Sequence, residues 1–223
     1  MKLTNNFLTF DVEEWYHANY DNATFDHLKG NKTNLENSVT RLLDICENNN
    51  VKSTCFILGS VAKEKPKIVK NIFDRGHEVA SHGFGHKLVY SMNPKEFQED
   101  LRVSCDLLEQ ITGKKVLGFR APSWSITTEV LQWYYEILSE QGIKYSSSVY
   151  PGHTFLYGIE NFPQKIHYPI INSQVSSVLE IPQSVLNFAG KKIGFAGGFY
   201  MRFFPEWFIK RSIVHRSEER RVG

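Results

Sequence analysis

The chain lacks the features that define several protein classes. Its 223 residues include only three cysteines, Cys46, Cys55 and Cys105, which stand far apart in apolar settings. The odd number and the apolar settings argue against a disulfide framework and predict buried free thiols. The formal net charge is only +2. A dedicated nucleic-acid-binding protein would carry a strong basic stripe, so no nucleic-acid partner is expected.

Long hydrophobic runs are also missing. No stretch approaches the roughly 18 apolar residues that a membrane-spanning helix needs, so no transmembrane segment is expected. The first residues, Met-Lys-Leu-Thr-Asn-Asn, contain no apolar core of a secretory signal. A cytoplasmic location is therefore the default expectation. The length and a hydrophobic content of 41% fit one globular domain with a sizeable core.

Short apolar strands alternate with amphipathic helices along most of the chain. Strand patterns occupy residues 7–12, 53–58, 78–80, 115–119, 143–149 and 178–181. Helical spacing occupies residues 35–49, 59–74, 94–112 and 127–141, with a last helix from Pro205. This alternation predicts an α/β fold with a parallel sheet. The absence of a Gly-x-Gly-x-x-Gly motif after the first strand disfavours a dinucleotide-binding fold.

Three smaller features qualify this pattern. Pro66 is expected to perturb or break the second helix, because proline lacks the backbone N–H. A long irregular segment is expected after Pro151, and residues 196–200 are expected to form a Gly-rich connection.

His82 and His86 are separated by three residues in the segment Glu-Val-Ala-Ser-His-Gly-Phe-Gly-His. Neutral imidazoles are common metal ligands, and two at i and i+4 can face the same way on one helical turn. Gly83 and Gly85 allow the backbone to bend so that both rings converge on one point. Taken alone, such a pair is more often two polar residues of a surface loop.

Asp11 and Glu13 stand at the end of the first apolar strand. On an extended backbone, residues two apart point to the same side. Carboxylates in this place are costly to bury unless they are paired or metal-bound. The alternative is a solvated strand end with an ordinary acidic loop, and the local sequence does not decide between the two.

The polar residues of these segments share one place in the predicted topology. Asp11, Glu13, His82, His86 and Arg120 all stand at or just after the carboxyl ends of predicted strands. Barrels of alternating strands and helices build their sites at this edge. The shared location favours a functional site.

In order and spacing, these motifs resemble the polysaccharide deacetylases, the NodB-homology proteins of carbohydrate esterase family 4. The resemblance rests on an acidic motif after Thr9-Phe10, on the pair His82 and His86, and on Arg-Ala-Pro-Ser-Trp at 120–124. The form Asp-Val-Glu is closer to the branch associated with exopolysaccharide production. The resemblance implies a distorted (β/α) TIM-like barrel in residues 1–215.

The family resemblance also implies an activity and a set of residues. The activity is removal of N-acetyl groups from N-acetylhexosamine units of a polysaccharide or glycan, with one divalent metal ion, most often zinc. The implied metal ligands are Glu13, His82 and His86, with Glu14 as the alternative to Glu13. Asp11 would be the general base, and Arg120 would hold its carboxylate through a charge-assisted pair. The implied substrate-binding residues are Trp15, Pro122 and Trp124.

Amide hydrolysis requires the same residue types independently. A metal lowers the pKa of its bound water toward about 7. Histidine and carboxylate ligands leave a position open for that water. A carboxylate that is not a ligand can take the proton.

Some positions depart from the family pattern. The late histidine motif that is expected to supply the general acid is not found, and His215 does not match it. Ser146 stands where the family commonly has an aspartate. Residues 216–223 are mostly charged and polar, unlike the more apolar segment before them. We therefore expect a non-native tail there, on a barrel that is incomplete at its C-terminal end.

Two other functions fit the same motifs. A hydrolase of small cyclic amides or imides would share the fold and the metal. A non-catalytic glycan-binding or scaffold protein would share the fold without the chemistry. Acetate release, metal dependence and substrate size distinguish these alternatives from the deacetylase.

Overall fold

The computed structural model describes residues 7–17, 34–154, 157–188, 191–195 and 197–219. Its strands are β1 Thr9–Val12, β2 Thr54–Ile57, β3 Glu78–Ser81, β4 Gly118–Phe119, β5 Tyr145–Ser146, β6 Ile170–Ile171, β7 Gln174–Val175, β8 Leu179–Glu180, β9 Val185–Phe188 and β10 Lys191–Gly194. Its helices are α1 Leu35–Asn48, α2 Gly59–Glu64, α3 Pro66–Asp74, α4 Pro94–Thr112, α5 Leu131–Glu140, α6 Gly198–Phe203 and α7 Glu206–Glu219.

Six strands form one sheet in the order β1-β2-β3-β4-β5-β8. Every pairing within it is parallel. A parallel sheet whose strands follow chain order has all its crossovers advancing in one direction, as in a β/α barrel, whereas a doubly wound sheet reverses direction. The predicted α/β class with a parallel sheet is confirmed. Within the described residues, β1 and β8 are the two edges of this sheet.

The helices form where apolar residues recur at helical spacing. Pro66 divides the second predicted helix into α2 and α3, as expected, because proline is tolerated only in the first turn. Helix α4 begins at a capping box made by Asn93 and Glu96, and ends at Gly113 with φ +68°.

The two faces of the sheet carry different residues. Val12, Ile57 and Phe119 belong to the apolar core shared with the helices. Asp11 is the neighbour of Val12 in β1 and pairs in register with Phe56. Since side chains alternate along a strand, Asp11 and Phe56 face away from the helices, toward the concave side of a barrel.

Several sequence predictions need correction. The antiparallel hairpin β6–β7 lies in the segment expected to be irregular, and a second hairpin, β9–β10, follows the predicted strand 178–181 where no element was predicted. The expected Gly-rich connection is wrong from residue 198 onward, since α6 begins at Gly198 directly after Gly197, whose φ is +119°. The helix predicted at residues 127–141 is α5, which begins at Leu131.

The cysteines, the helices and the C-terminal residues can be compared with the sequence predictions. The three cysteines are buried and free, as expected. No helix among the described residues is long and apolar enough to cross a membrane. Helix α7 includes residues 216–219, and residues 220–223 lie outside the described part. That residues 216–223 form a non-native tail stays a prediction.

Candidate metal centre

The predicted ligands follow the carboxyl ends of two strands of the sheet. Glu13 follows β1, His82 follows β3, and His86 lies in the loop after β3. Only β2 separates these strands, so their carboxyl ends are near neighbours. The ligand atoms of the three side chains all lie within 4.8 Å of one another.

The Glu13 carboxylate lies against the two imidazoles. Its Oε2 atom is 2.9 Å from His86 Nε2. The ring centroids of His82 and His86 are 5.3 Å apart. Oε2 is buried and has no aligned hydrogen-bond partner among the described residues, despite its short distance to His86. Such an atom, facing imidazole nitrogens, fits a metal ligand better than a hydrogen-bonded pair.

His82 is held in the tautomer that metal binding needs. Its ring is buried, and its Nδ1 lies 2.8 Å from the carbonyl oxygen of Arg120. A carbonyl only accepts, so Nδ1 carries the proton and Nε2 keeps its lone pair. Burial lowers the pKa of His82, although Asp11 and Glu13 oppose this effect. The neutral form is therefore the one present at neutral pH.

Glu13 is ionised beside these rings. Burial alone would raise the pKa of Glu13, but the nearby imidazoles, His86 above all, outweigh it and lower the pKa. The centre thus offers two imidazoles and one carboxylate. This donor set is one that catalytic zinc sites use, with a further position open. The residues present therefore fit a divalent metal ion.

The loop between the two histidines is not helical. Gly83 and His86 have φ of +76° and +59°. The carbonyls of Gly83 and Phe84 accept the first N–H groups of α2, from Gly59 and Ser60, at 2.9 Å each. The expected glycine bend is present. The two rings meet without a helical turn, and α2 uses the carbonyls that a helix would need.

Helix α4 supports the same loop from the other side. The Oδ2 atom of Asp100 accepts the backbone N–H of Phe84 at 2.8 Å. Ser104 donates its hydroxyl to the carbonyl of Gly83 at 3.0 Å. Asp100 and Ser104 could not be predicted from the sequence, because nothing local links α4 to the histidine loop.

Glu14 points away from the cluster. It is buried and forms an ion pair with Lys65, at the junction of α2 and α3. The three-residue cluster contains Glu13 and not Glu14. Of the two acids that the sequence left open, the geometry therefore favours Glu13 as the ligand.

Asp11 and Arg120 form the predicted ion pair beside the metal cluster. Arg120 Nη1 donates to Asp11 Oδ1 at 2.8 Å. The Arg120 guanidinium is nearly buried and stacks 4.1 Å above the ring of Phe56. Burial would raise the pKa of Asp11, but Arg120 and the two imidazoles outweigh it and lower the pKa. Asp11 is therefore a carboxylate that is held in place without being part of the cluster.

A family model described as polysaccharide deacetylase matches residues 8–145, which include all of these side chains and more than half of the chain. The chain belongs to the polysaccharide deacetylase family. A second model, described as a domain of unknown function (DUF3473), matches residues 147–222. Strand β8 of this second segment pairs with β5, so one sheet joins both segments.

Curated relatives agree with this family. A peptidoglycan deacetylase of Helicobacter pylori is 31% identical over 114 residues, which are 51% of this chain and 38% of that protein. A peptidoglycan-N-acetylglucosamine deacetylase of Bacillus cereus is 30% identical over 93 residues, 42% of this chain and 34% of that protein. The chain spans less than two fifths of the length of these relatives.

A solved structure supports the fold assignment. A Mycobacterium smegmatis protein assigned to the polysaccharide deacetylases superimposes with a TM-score of 0.61 at 24% identity. The match covers 80% of this chain and 58% of that protein. At this identity the likeness shows the fold.

The predicted substrate-binding residues of this deacetylase-family chain lie in two short turns. Trp15 is exposed in the turn Trp15–His17, and Pro122 is buried at the start of the turn Pro122–Trp124. Trp124 is half-buried, with its ring 6.1 Å from that of Tyr157. Ser123 and Trp124 both have positive φ, near +50°. Strained backbone of this kind clusters at functional sites.

The departures from the family pattern have clear positions. Ser146 is buried and faces α5, where its hydroxyl lies 3.0 Å from that of Tyr134. It is therefore directed to the helix side of the sheet and not to the metal cluster. The backbone of His215 lies in α7, and its side chain is outside the described part.

His17 is a further histidine near the carboxyl end of β1 that was not predicted from the sequence. Its Nδ1 accepts the backbone N–H of Glu14 at 3.0 Å, so the neutral ring carries its proton on Nε2. Burial lowers the pKa of His17, although Glu13 opposes the shift. Its place four residues after Glu13, in Trp-Tyr-His, was the signal that could have found it.

Proposed function

We propose that this chain is a metal-dependent hydrolase that removes N-acetyl groups from N-acetylhexosamine units of a polysaccharide or glycan. One observation carries the proposal: the cluster of Glu13, His82 and His86 lies beside the ion pair of Asp11 and Arg120 in a chain of the deacetylase family. The peptidoglycan deacetylases among its relatives support a glycan as the substrate class.

We propose zinc as the metal. Two imidazoles and one carboxylate are borderline ligands that suit Zn²⁺, whereas Mg²⁺ and Ca²⁺ prefer sites made of oxygen ligands alone. When bound there, the ion supplies Lewis-acid activation of the attacking water and of the acetyl carbonyl. Glu13, His82 and His86 hold it.

Asp11 is the general base of this proposal. Its Oδ1 atom accepts from Arg120, so we assign proton acceptance from the attacking water to Oδ2. The Arg120 guanidinium fixes the orientation of the carboxylate and keeps it ionised. The departing amine also needs a proton. A general acid must supply that proton.

The Asp-Val-Glu form of the acidic motif extends the proposal. Val12 is buried in the core shared with the helices, whereas Glu13 belongs to the metal cluster. The motif itself supports membership of the branch associated with exopolysaccharide production. We propose an exopolysaccharide as the polymer.

Acetate release from N-acetylglucosamine oligomers tests the proposed function. We expect the zinc-loaded protein to release acetate, the metal-stripped protein to release none, and added zinc to restore the activity. Asp11→Asn is expected to bind zinc normally but to lose at least about 100-fold in kcat, within the range of a lost general base.

The alternatives give different results in the same assay. Oligomer binding without acetate release at any zinc concentration would support the glycan-binding protein. Hydrolysis of a small cyclic imide without action on the oligomers would support the other hydrolase. Either result contradicts the proposed deacetylase.

A further inference from the structure

Glu180 is a buried carboxylate that the site described above does not use. It lies in β8, is completely inaccessible to solvent, and has no lysine or arginine ion-pair partner among the described residues. Its Oε1 atom accepts the backbone N–H groups of Ser148 and Val149 at 2.9 and 3.0 Å. Its Oε2 atom accepts the Tyr135 hydroxyl at 3.0 Å. Burying a carboxylate is costly, and these three bonds offset the cost.

The turn that Glu180 holds is also the turn that contacts Arg120. The Nε atom of Arg120 donates to the carbonyl of Ser147 at 3.2 Å, and its Nη2 donates to the Ser147 hydroxyl at 3.0 Å. The hydroxyl of Ser148 accepts the N–H of Ala121, the residue after Arg120, at 2.9 Å. The backbone and the side chain of Arg120 are thus both fixed by residues adjacent to the Glu180 bonds.

We propose that Glu180 is a positioning residue, which fixes the turn at residues 147–149 so that Arg120 presents Nη1 to Asp11. Hydrogen bonds join Glu180 to Ser148, Ser147 to Arg120, and Arg120 to Asp11, and the backbone joins Ser147 to Ser148. The expected effect of Glu180 on acetate release rests on the proposed function, whereas its role in fixing the turn does not.

This inference gives the second segment a part in the site. Glu180 and the turn lie in residues 147–222, which match the model of unknown function, whereas Asp11 and Arg120 lie in the deacetylase match. Strand β8 is the only strand of the second segment that pairs with the sheet in the described structure. Because β8 pairs with β5, Glu180 lies next to the turn that follows β5.

Four variants separate positioning from general stability. Glu180→Ala removes all three bonds. Glu180→Asp keeps the charge but withdraws the oxygens by one methylene, and serves if the alanine variant does not fold. Glu180→Gln keeps an Oε1 acceptor for both N–H groups and can donate to the Tyr135 hydroxyl, so it tests rescue. Tyr135→Phe is the matched control, because it removes one bond to Glu180 but leaves both bonds to the turn.

Amide hydrogen exchange tests the geometric claim without any activity. In Glu180→Ala or Glu180→Asp, we expect at least tenfold faster exchange of the Ala121 N–H, which donates to Ser148. The His82 N–H, which donates to the Ile57 carbonyl at 3.0 Å, should be unchanged. Glu180→Gln and Tyr135→Phe should leave Ala121 within threefold of wild type. Unchanged exchange at Ala121 in Glu180→Asp would overturn the proposal.

Steady-state acetate release tests the consequence. Glu180→Ala or Glu180→Asp should lower kcat at least tenfold with the zinc Kd within threefold, as expected for a partner that acts through another residue. Glu180→Gln and Tyr135→Phe should retain kcat. Parallel loss of kcat and zinc affinity would show general collapse and overturn the proposal. If the wild-type protein releases no acetate, the proposed function fails, and hydrogen exchange alone decides the role of Glu180.

Discussion

At the residue scale, the Arg120 guanidinium connects the largest number of site groups. It makes four hydrogen bonds, to Asp11, to Thr9 and twice to Ser147. The planar guanidinium offers five donors in a fixed fork, whereas lysine offers one flexible ammonium group. An arginine after β4 can therefore bond at the same time to β1, which carries Thr9 and Asp11, and to Ser147, which directly follows β5.

Arg120→Lys is therefore expected to damage catalysis without removing the metal. The ammonium can reach one of the four acceptors, so the Asp11 carboxylate loses its fixed orientation. We expect kcat for acetate release to fall by about 10- to 100-fold, with the zinc Kd little changed. Full activity in Arg120→Lys would contradict the role given to this pair.

The sequence was enough to predict which residues gather at this site, but not which contacts hold them there. The rule that polar residues gather at the carboxyl ends of parallel strands was enough to collect Asp11, His82 and Arg120. The choice between Glu13 and Glu14 could not be made, because it depends on Lys65, which is distant in the sequence. Partners that meet only through the tertiary fold leave no local signal.

At the element scale, the loop after β3 is shaped by its two glycines in different ways. Gly83 has φ +76°, and a Cβ atom there would lie 2.9 Å from Asp100 Oδ2. Gly85 has no positive φ and no atom within 4 Å of such a Cβ. The chain thus offers a matched pair of glycines between the same two histidines.

Gly83→Ala is expected to destabilise the fold and to weaken zinc binding. A non-glycine residue in the left-handed region costs of order 1–3 kcal/mol, and the contact with Asp100 adds to this cost. Gly85→Ala should leave the unfolding free energy within about 0.5 kcal/mol of wild type, as is usual for surface changes. Urea unfolding and zinc titration of both variants measure this. Equal effects of the two substitutions would contradict the account of the loop.

The long elements were predictable and the short ones were not. Helices α1, α3 and α4 follow from apolar residues at helical spacing, because each buries one continuous face. Hairpin β6–β7 has strands of only two residues, and three of their four positions are exposed. A pattern of period two cannot be recognised over two residues, so the sequence predicted an irregular segment here.

At the scale of the whole molecule, one sheet joins the two segments that match separate family models. Strand β5 ends the first segment and pairs with β8 of the second. The predicted single deacetylase domain in residues 1–215 stays a prediction. The continuous sheet and the Glu180 contacts are the features that support it.

Acid is expected to lower the stability of the whole fold through His77. This residue is buried, and its Nδ1 accepts both the N–H and the hydroxyl of Ser53. Burial, together with Lys52 and Arg75, lowers the pKa of His77. The unfolded chain therefore binds the proton more readily, so stability present at neutral pH is lost as the pH falls below about 6.5.

Urea unfolding of the metal-stripped protein between pH 5 and 7 tests this expectation. The free energy of unfolding should fall by up to about 1.4 kcal/mol per pH unit for this one proton. His77→Gln keeps an acceptor for Ser53 but does not titrate, so its pH dependence should be shallower by that amount. Identical slopes for His77→Gln and wild type would contradict the role of His77.

The central claim is that Glu13, His82 and His86 form a metal centre, and calorimetric titration of zinc into metal-stripped protein tests it most directly. We expect one tight site per chain in the wild type and in Glu14→Gln, whose acid pairs with Lys65 outside the cluster. Glu13→Gln and His82→Ala should lose that site while far-UV circular dichroism shows them folded. Absence of a site in folded wild-type protein, or an undiminished site in both Glu13→Gln and His82→Ala, would contradict the account.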